Sequence, residues 1–257
     1  MGNLRKWALL GAFAVIVQGG AALAADIPET PVVALPPASV EFGSGWYLRG
    51  DIGYKLYAAP DAHFDVIGYG DMINESMSNV FAAGGGVGYK FSPWFRADFT
   101  LDYEWPSHFH GNLPCPSGSC TPGTDFSDEF ADISAWAGLA NVYLDIPMMG
   151  EGILGITPYV GAGVGFSRLT TTNVNFVNPP ADPGSGTWPG ASKWNFAWAL
   201  MAGFSYNFTQ RVALDVNYRY LHLGDAISGP TTFGGEPIHY DNIHASEFRV
   251  GLRWMLN

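Results

Sequence analysis

The feature that most constrains this chain is an alternation of apolar and polar residues with a period of two. Between 95 and 105 every odd position is apolar or aromatic, whereas the even positions include Arg96, Asp98, Asp102 and Glu104. Such alternation places the apolar side chains on one face of a β-strand. The pattern recurs, with varying contrast, in eight segments: 46–57, 79–90, 94–105, 133–145, 156–169, 194–208, 212–220 and 247–256. We therefore predict an all-β fold with eight strands.

The links between these segments alternate between short and long. Short links lie at Ser92-Pro93, around 147–150 and at Thr209-Gln210. Long links occupy 58–78, 106–131, 170–192 and 223–243. An even number of antiparallel strands, with short turns at one end and long loops at the other, is the arrangement of barrels in bacterial outer membranes. We predict an eight-stranded antiparallel up-and-down transmembrane β-barrel over 46–257, with long extracellular loops.

The two faces of the predicted strands differ in chemistry. Aromatic residues lie near the ends of the apolar faces, as in the girdles at the two interfaces of a membrane barrel. The opposite faces carry both signs of charge at similar depths, which suits pairing across a narrow polar interior. We predict a lumenal charge network of Arg49, Asp51, Arg96, Asp98, Asp102, Asp215, Arg219, Glu247 and Arg249. The structural alternative is a soluble lipocalin-like barrel, in which the apolar faces would line a cavity.

The N-terminus has the pattern of a secretory signal peptide. Two basic residues precede an apolar run from Trp7 to Val17, and Ala22-Leu23-Ala24 supplies small residues for cleavage. We predict that 1–24 is removed on export and that 25–45 forms a Pro-rich periplasmic linker. The expected location of the mature protein is the cell outer membrane.

The charge of the chain excludes nucleic acid as a natural partner. The formal net charge is −11, and removal of 1–24 takes away Arg5 and Lys6 and no acidic residue, which gives −13. A chain this acidic repels a phosphate backbone. After the signal peptide no run of eighteen apolar residues occurs, so a membrane-spanning helix is not expected.

Several stretches are similar to a known family. They are Ala25-Asp26-Ile27-Pro28, GWYLRGDIGYK at Gly45–Lys55, TPYVGAGVGF at Thr157–Phe166 and EFRVGLRWMLN at Glu247–Asn257. These stretches resemble alphaproteobacterial outer-membrane β-barrel proteins of the opacity-like porin family, which includes the 25/31-kDa surface antigens of Brucella and their rhizobial relatives. The resemblance implies outer-membrane lipid and lipopolysaccharide around the barrel, and insertion by the barrel assembly machinery. Such barrels often end on an aromatic residue, whereas Trp254 or Leu256 would have to serve that role here.

The cysteines and histidines are candidates for chemistry outside the barrel wall. Cys115 and Cys120 lie in the second long link, and two cysteines in an exported chain most often form a disulfide. A metal or redox role is the alternative. All six histidines fall in outward halves or loops, and His108-x-His110 could offer two imidazoles to a metal. Their spacing matches no defined site, so we expect solvated histidines, no metal and no cofactor.

Three function classes remain open. A structural or surface-interaction protein would support envelope integrity and present its loops to lipopolysaccharide, host or surface ligands. A narrow porin for small solutes is disfavoured, because eight strands leave an interior just wide enough for side chains. A lipid A-modifying hydrolase could use His244 as base and Ser246 as nucleophile. No acid lies on the same face to orient that histidine, so we expect no enzyme and favour the first class.

Overall fold

A computed structural model describes residues 45–65, 70–115, 120–121, 123–146, 155–231 and 235–256. The predicted signal peptide, nearly all of the predicted linker and the link around 147–150 lie outside these ranges. Twelve strands occur in the described residues: β1 (Trp46–Tyr57), β2 (Asp61–Phe64), β3 (Ile73–Met77), β4 (Val80–Ser92), β5 (Phe95–Pro114), β6 (Phe126–Asp145), β7 (Ile156–Thr171), β8 (Val174–Val177), β9 (Ser185–Trp188), β10 (Ala191–Asn207), β11 (Val212–Ile227) and β12 (Ile238–Met255).

Eight of these strands close into a ring. The order is β1, β4, β5, β6, β7, β10, β11 and β12, and every neighbouring pair is antiparallel. The ring closes because β12 also pairs with β1, with Tyr47 opposite Met255 and Tyr57 opposite Ala245. Closure removes the open edges of the sheet. The predicted eight-stranded antiparallel up-and-down barrel is therefore confirmed.

The apolar faces of the ring point outward. Leu48, Phe99 and Val250 are each nearly half exposed, whereas Asp102 and Glu247 on the alternate positions are fully buried. Exposed aromatic side chains end the apolar belt on both sides, with Trp46, Phe91, Trp94, Phe208 and Trp254 at one end and Trp105, Trp136, Trp194 and Phe248 at the other. The lipocalin-like alternative is wrong, because the charged residues of the belt are buried inside the barrel and the apolar faces point outward. Among the described residues, no helix is long and apolar enough to cross a membrane.

In the described residues, the four long extracellular links contain β-strands. β5 and β6 continue far past the belt and pair up to Pro114 opposite Phe126. β11 and β12 likewise remain paired to Ile227 opposite His239. The short strands β2, β3, β8 and β9 add to β12, β5, β6 and β8 respectively. We call the described parts of 58–79, 106–133, 170–193 and 222–243 the cap. The cap extends the barrel wall beyond the outer girdle, which is the set of exposed aromatic residues at the outer end of the apolar belt.

A β-bulge explains why the alternation of β5 did not predict its outer part. The register of β5 against β6 shifts between Glu104 and Ser107. Glu104 is inward at an even position, whereas Phe109 and Leu113 are inward at odd positions. The extra residue of a bulge moves side chains to the opposite face. Above the bulge the interior is apolar and the exterior polar, which is the reverse of the pattern in the belt.

Candidate functional site: the interior of the barrel

The inner half of the interior holds ion pairs at several depths. Nη2 of Arg49 lies 2.6 Å from Oδ1 of Asp51, and Nη1 lies 2.9 Å from Oδ2 of Asp98. These residues belong to β1 and β5, and the alternation of each strand directs them inward. Nη1 of Arg49 also donates to the hydroxyl of Tyr143, 2.7 Å away. One guanidinium thus links three strands across the interior.

The centre of the network joins two arginines and two carboxylates. Arg219 donates to Asp102 and to Glu247, each at 2.7 Å. Nη2 of Arg249 lies 2.8 Å from Oδ1 of Asp102, and its Nη1 lies 3.2 Å from Oε1 of Glu247. All four side chains are buried. Buried charges are stable when each has an opposite partner and hydrogen bonds, and loss of one partner leaves a costly bare charge.

Two further pairs lie towards the inner end of the barrel. Nε of Arg96 lies 3.0 Å from Oδ1 of Asp145, and its guanidinium stacks 4.0 Å from the ring centre of Tyr143. Asp215 accepts a hydrogen bond from the hydroxyl of Ser205 and lies 3.6 Å from Arg253. The structure therefore brings together Arg49, Asp51, Asp98, Asp102, Arg219, Glu247 and Arg249 in one connected set, while Arg96 and Asp215 make separate pairs beside it.

The predicted set omits residues that the interior uses. Lys55 forms a fully buried ion pair with Glu104, and Tyr57 donates to the same carboxylate. Asp145 and Arg253 are also buried and paired. Each has the same parity as the inward residues of its strand. Strand parity already assigns Lys55, Glu104 and Arg253 to the charged faces in the sequence, and the same signal could have found Asp145.

Glycines make room for the central carboxylates. A Cβ atom at Gly84 would overlap Oδ1 of Asp102, and one at Gly53 would overlap Oε1 of Glu247. In each case the carboxylate lies over the neighbouring backbone of the barrel wall. Glycine is required at such a close approach because any other residue would displace a group that is fixed by ion pairs.

The side of the interior formed by β6, β7, β10 and β11 is largely apolar, which the sequence analysis did not predict. Small and aliphatic side chains fill it, and most are at most a few per cent exposed: Ile133, Ala135, Ala137, Leu139, Leu169, Ala197, Ala199, Leu221 and Leu223. The cap continues this core with Phe64, Phe109, Val174, Trp188, Ile238 and Tyr240. The interior is thus filled by an ionic network and by an apolar core that lies beside this network and continues above it into the cap.

One carboxyl group lies inside the apolar cap. Glu129 is about 1% exposed, and its Oε1 accepts a hydrogen bond from Ser127 at 3.0 Å. Its Oε2 and the hydroxyl of Tyr240 have no hydrogen-bond partner among the described residues. Burial raises the pKa of Glu129 to about 8, because the charged form loses its hydration. Burial and the nearby Glu129 also raise the pKa of Tyr240.

The outer surface of the cap is acidic. Its described residues include one lysine, Lys193, and no arginine, while the carboxylates are Asp61, Asp65, Asp71, Glu75, Asp125, Asp128, Asp132, Asp182, Asp225, Glu236 and Asp241. Lys193 is already paired with Asp225 at 3.0 Å. The negative charge of the chain is therefore concentrated at the extracellular end.

The histidines lie on strands of the cap and near the outer girdle. His63 and His239 stack with ring centres 5.0 Å apart, and His108 contacts Asp132. Among the described residues, no group of three or more His, Cys, Asp or Glu side chains is arranged to hold a metal ion. Cys115 and Cys120 are joined by a disulfide, with Cα atoms 6.2 Å apart. This distance lies within the usual range for such a bond.

His244 and Ser246 have other partners. Nδ1 of His244 lies 2.7 Å from the carbonyl oxygen of Asn242. The hydroxyl of Ser246 lies 2.8 Å from that of Tyr218. Within the described part of the chain no hydrogen bond between His244 and Ser246 is seen, and the geometry therefore lacks the contact that would activate a serine nucleophile.

Comparison with known proteins identifies the family. The model of the outer membrane protein beta-barrel domain matches residues 30–255. The chain belongs to this family. An uncharacterised protein of Brucella melitensis is 34% identical over 88% of this chain and 81% of its own length. The outer membrane protein PagN of Salmonella typhimurium is 24% identical over 87% of this chain and 95% of its own length.

A solved structure supports the same fold. The outer membrane protein OprG of Pseudomonas aeruginosa superposes with a TM-score of 0.50 at 16% identity, covering 84% of this chain and 97% of its own. The predicted outer-membrane location and the resemblance to alphaproteobacterial barrels are confirmed by the family match and the Brucella relative. The family places the barrel among the lipids of the outer membrane, and it leaves the choice between a structural and a pore role open.

Proposed function

We propose that this protein is a structural and surface-interaction protein of the outer membrane and not an efficient pore. The observation that carries the proposal is that both ion pairs and an apolar core close the interior. Arg219 and Arg249 bridge carboxylates from β5 and β12, and an apolar core fills the space beside and above them. An ion would have to break buried pairs and then enter a dry apolar layer, and both steps are costly.

Conductance in planar bilayers tests the closure. Wild-type protein should give little or no steady current. The matched variant replaces Arg96, Arg219 and Arg249 with alanine together, which removes bulk and leaves carboxylates unpaired. If this variant inserts, it should be destabilised and cation-selective. A large, stable conductance from the wild type would contradict the proposal and favour the alternative of a narrow porin.

The cap supports the surface-interaction part of the proposal. It is a folded extension of the barrel wall with a strongly acidic exterior, and its surface-exposed carboxylates include Asp61 and Asp65. Electrostatic complementarity favours a partner with a basic surface and accelerates its association at low salt. We expect a host or surface ligand of that kind to bind the cap, while lipopolysaccharide surrounds the outer girdle and the barrel assembly machinery inserts the chain.

Whole cells test this second part. A strain that carries a cap-less barrel should keep its envelope integrity but lose adhesion to cationic surfaces such as polylysine. A deletion strain should lose both. Equal adhesion of wild-type and cap-less cells would contradict a role for the cap. For the hydrolase alternative, lipid A incubated with the protein should keep all its acyl chains, and a loss that disappears in Ser246→Ala would overturn our expectation.

A further inference from the structure

The end of the barrel opposite the cap contains a basic cavity. It lies where the short turns are, beside the link between β10 and β11, and has a volume of about 420 Å³. Its charged lining residues are Lys90, Arg211 and Arg253, and its polar ones include Thr209 and Gln210. We call this cavity the periplasmic vestibule. Its size lies within the range of small-molecule sites.

The three cations of the vestibule are poorly neutralised. Among the residues that line it, none is acidic. In the described part of the chain, neither Lys90 nor Arg211 has a carboxylate within ion-pair distance. Arg253 is 5% exposed and has one distant acidic partner, Asp215, at 3.6 Å. This contrasts with the centre of the network, where each arginine faces two carboxylates at shorter distances.

Other contacts hold Arg253 in place without neutralising it. Its Nη2 donates to the hydroxyl of Ser205 at 3.3 Å, and its guanidinium lies 5.5 Å from the ring centre of Tyr47. Its Nη1 has no acceptor among the described residues. A fixed guanidinium beside two unpaired cations creates a positive potential in a concave site, which attracts anions. Planar guanidinium groups match the oxygens of carboxylates and phosphates.

We propose that the periplasmic vestibule binds a small oxyanion, a phosphate or carboxylate group of a periplasmic solute. The oxyanion would lie between Lys90, Arg211 and Arg253, with Thr209 and Gln210 as further polar neighbours. The ionic network above the vestibule closes the way into the barrel, so the solute binds and returns to the periplasm without crossing. The two ends of the protein then have opposite preferences, because the cap is acidic and the vestibule is basic.

A titration tests the site. The refolded barrel in zwitterionic detergent, in buffer without phosphate, is titrated with inorganic phosphate and separately with citrate while the arginine side-chain signals are recorded by NMR. The signals of Arg211 and Arg253 should shift saturably, with a Kd of about 1 mM, as expected for two or three charge-assisted hydrogen bonds. The double variant Lys90→Gln/Arg211→Gln should bind at least tenfold more weakly while its thermal midpoint stays unchanged.

Two controls separate this site from general attraction to the protein. Arg168→Gln removes a cation at the outer girdle, beside Trp194, and should leave the titration unchanged. Nanodiscs of zwitterionic lipid alone, and of zwitterionic lipid with phosphatidylglycerol, distinguish a soluble solute from a lipid headgroup. The proposal is overturned if no saturable shift occurs, if the double variant responds like the wild type, or if the arginine signals shift only with phosphatidylglycerol.

Discussion

The buried carboxyl group of the cap makes the stability of the cap depend on pH. Glu129 packs within the apolar cap, opposite Phe176 of β8 and Gly111 of β5. Its pKa is raised to about 8, whereas an unfolded glutamate titrates near 4.3. Between these values the folded cap binds a proton that the unfolded cap releases, so the free energy of unfolding falls as the pH rises. Below about pH 4 Glu129 is protonated in both states, and the free energy of unfolding no longer changes with pH through this group.

The size of the effect follows from the shift. Each pH unit between the two pKa values costs about 1.4 kcal/mol, and the whole interval gives an upper value of about 5 kcal/mol. Water that enters the cap would reduce this figure, so we expect a loss of about 2 to 4 kcal/mol between pH 5 and pH 9. The loss should appear in local opening of the cap and not in global unfolding, since the belt and the ionic network do not contain Glu129.

Hydrogen exchange measures local opening. Amides of β8 and of the outer part of β6 should lose at least tenfold in protection factor from pH 5 to pH 8, after correction for the intrinsic exchange rate. Glu129→Gln keeps the shape of the side chain and removes its titration, so its protection should not depend on pH. Asp132→Asn, on the outward face of the same strand, is the matched control and should behave like the wild type.

Two results would refute the reasoning. One is a carboxyl carbon signal of Glu129 that titrates near pH 4.5 in the folded protein. The other is an equal loss of protection in wild type and Glu129→Gln, since the pH dependence would then arise elsewhere.

Three further predictions concern the packing of the interior and the cap. Gly84→Ala should lower the free energy of unfolding in urea by about 1–3 kcal/mol because the new Cβ displaces Asp102, while Gly50→Ala, which faces open space, should change it by less than about 0.5 kcal/mol. Arg249→Leu should cost about 3–5 kcal/mol because it strips two buried carboxylates of a partner, and an unchanged urea midpoint would contradict the network. Cys115→Ser should loosen only its own part of the cap, by about 2 kcal/mol for so short a ring, with exchange in the belt unaffected.

The sequence predicts the barrel well because the membrane enforces one rule at each strand position in the belt. A residue such as Phe99 faces lipid and must be apolar, whereas Asp98 and Thr100 face the interior and are free to be polar. The result is a period-two alternation of apolar and polar residues with high contrast. This alternation specifies the number of strands, their direction and the face of each strand that meets lipid. The same parity predicts that Arg219 and Glu247 lie inside, although it does not specify which carboxylate each arginine meets.

The parts that the sequence did not predict share one physical cause. The surroundings of the barrel wall change with depth, from lipid outside and charged side chains inside the belt to water outside and an apolar core inside the cap. Above the outer girdle the exterior meets water, so His108 and His110 face outward while Phe109 packs inside. The alternation persists there, but after the bulge that follows Glu104 the apolar residues face the interior and the polar residues face outward. A sequence pattern that expects apolar residues to face lipid therefore assigns these segments to loops. Phe109 and its neighbours then form a core that must exclude water, which explains why a carboxyl group at Glu129 has so large an effect. The same change of solvent separates the functions that we propose. The belt would anchor the chain, the acidic cap would meet partners outside, and the packed interior would conduct little or no current.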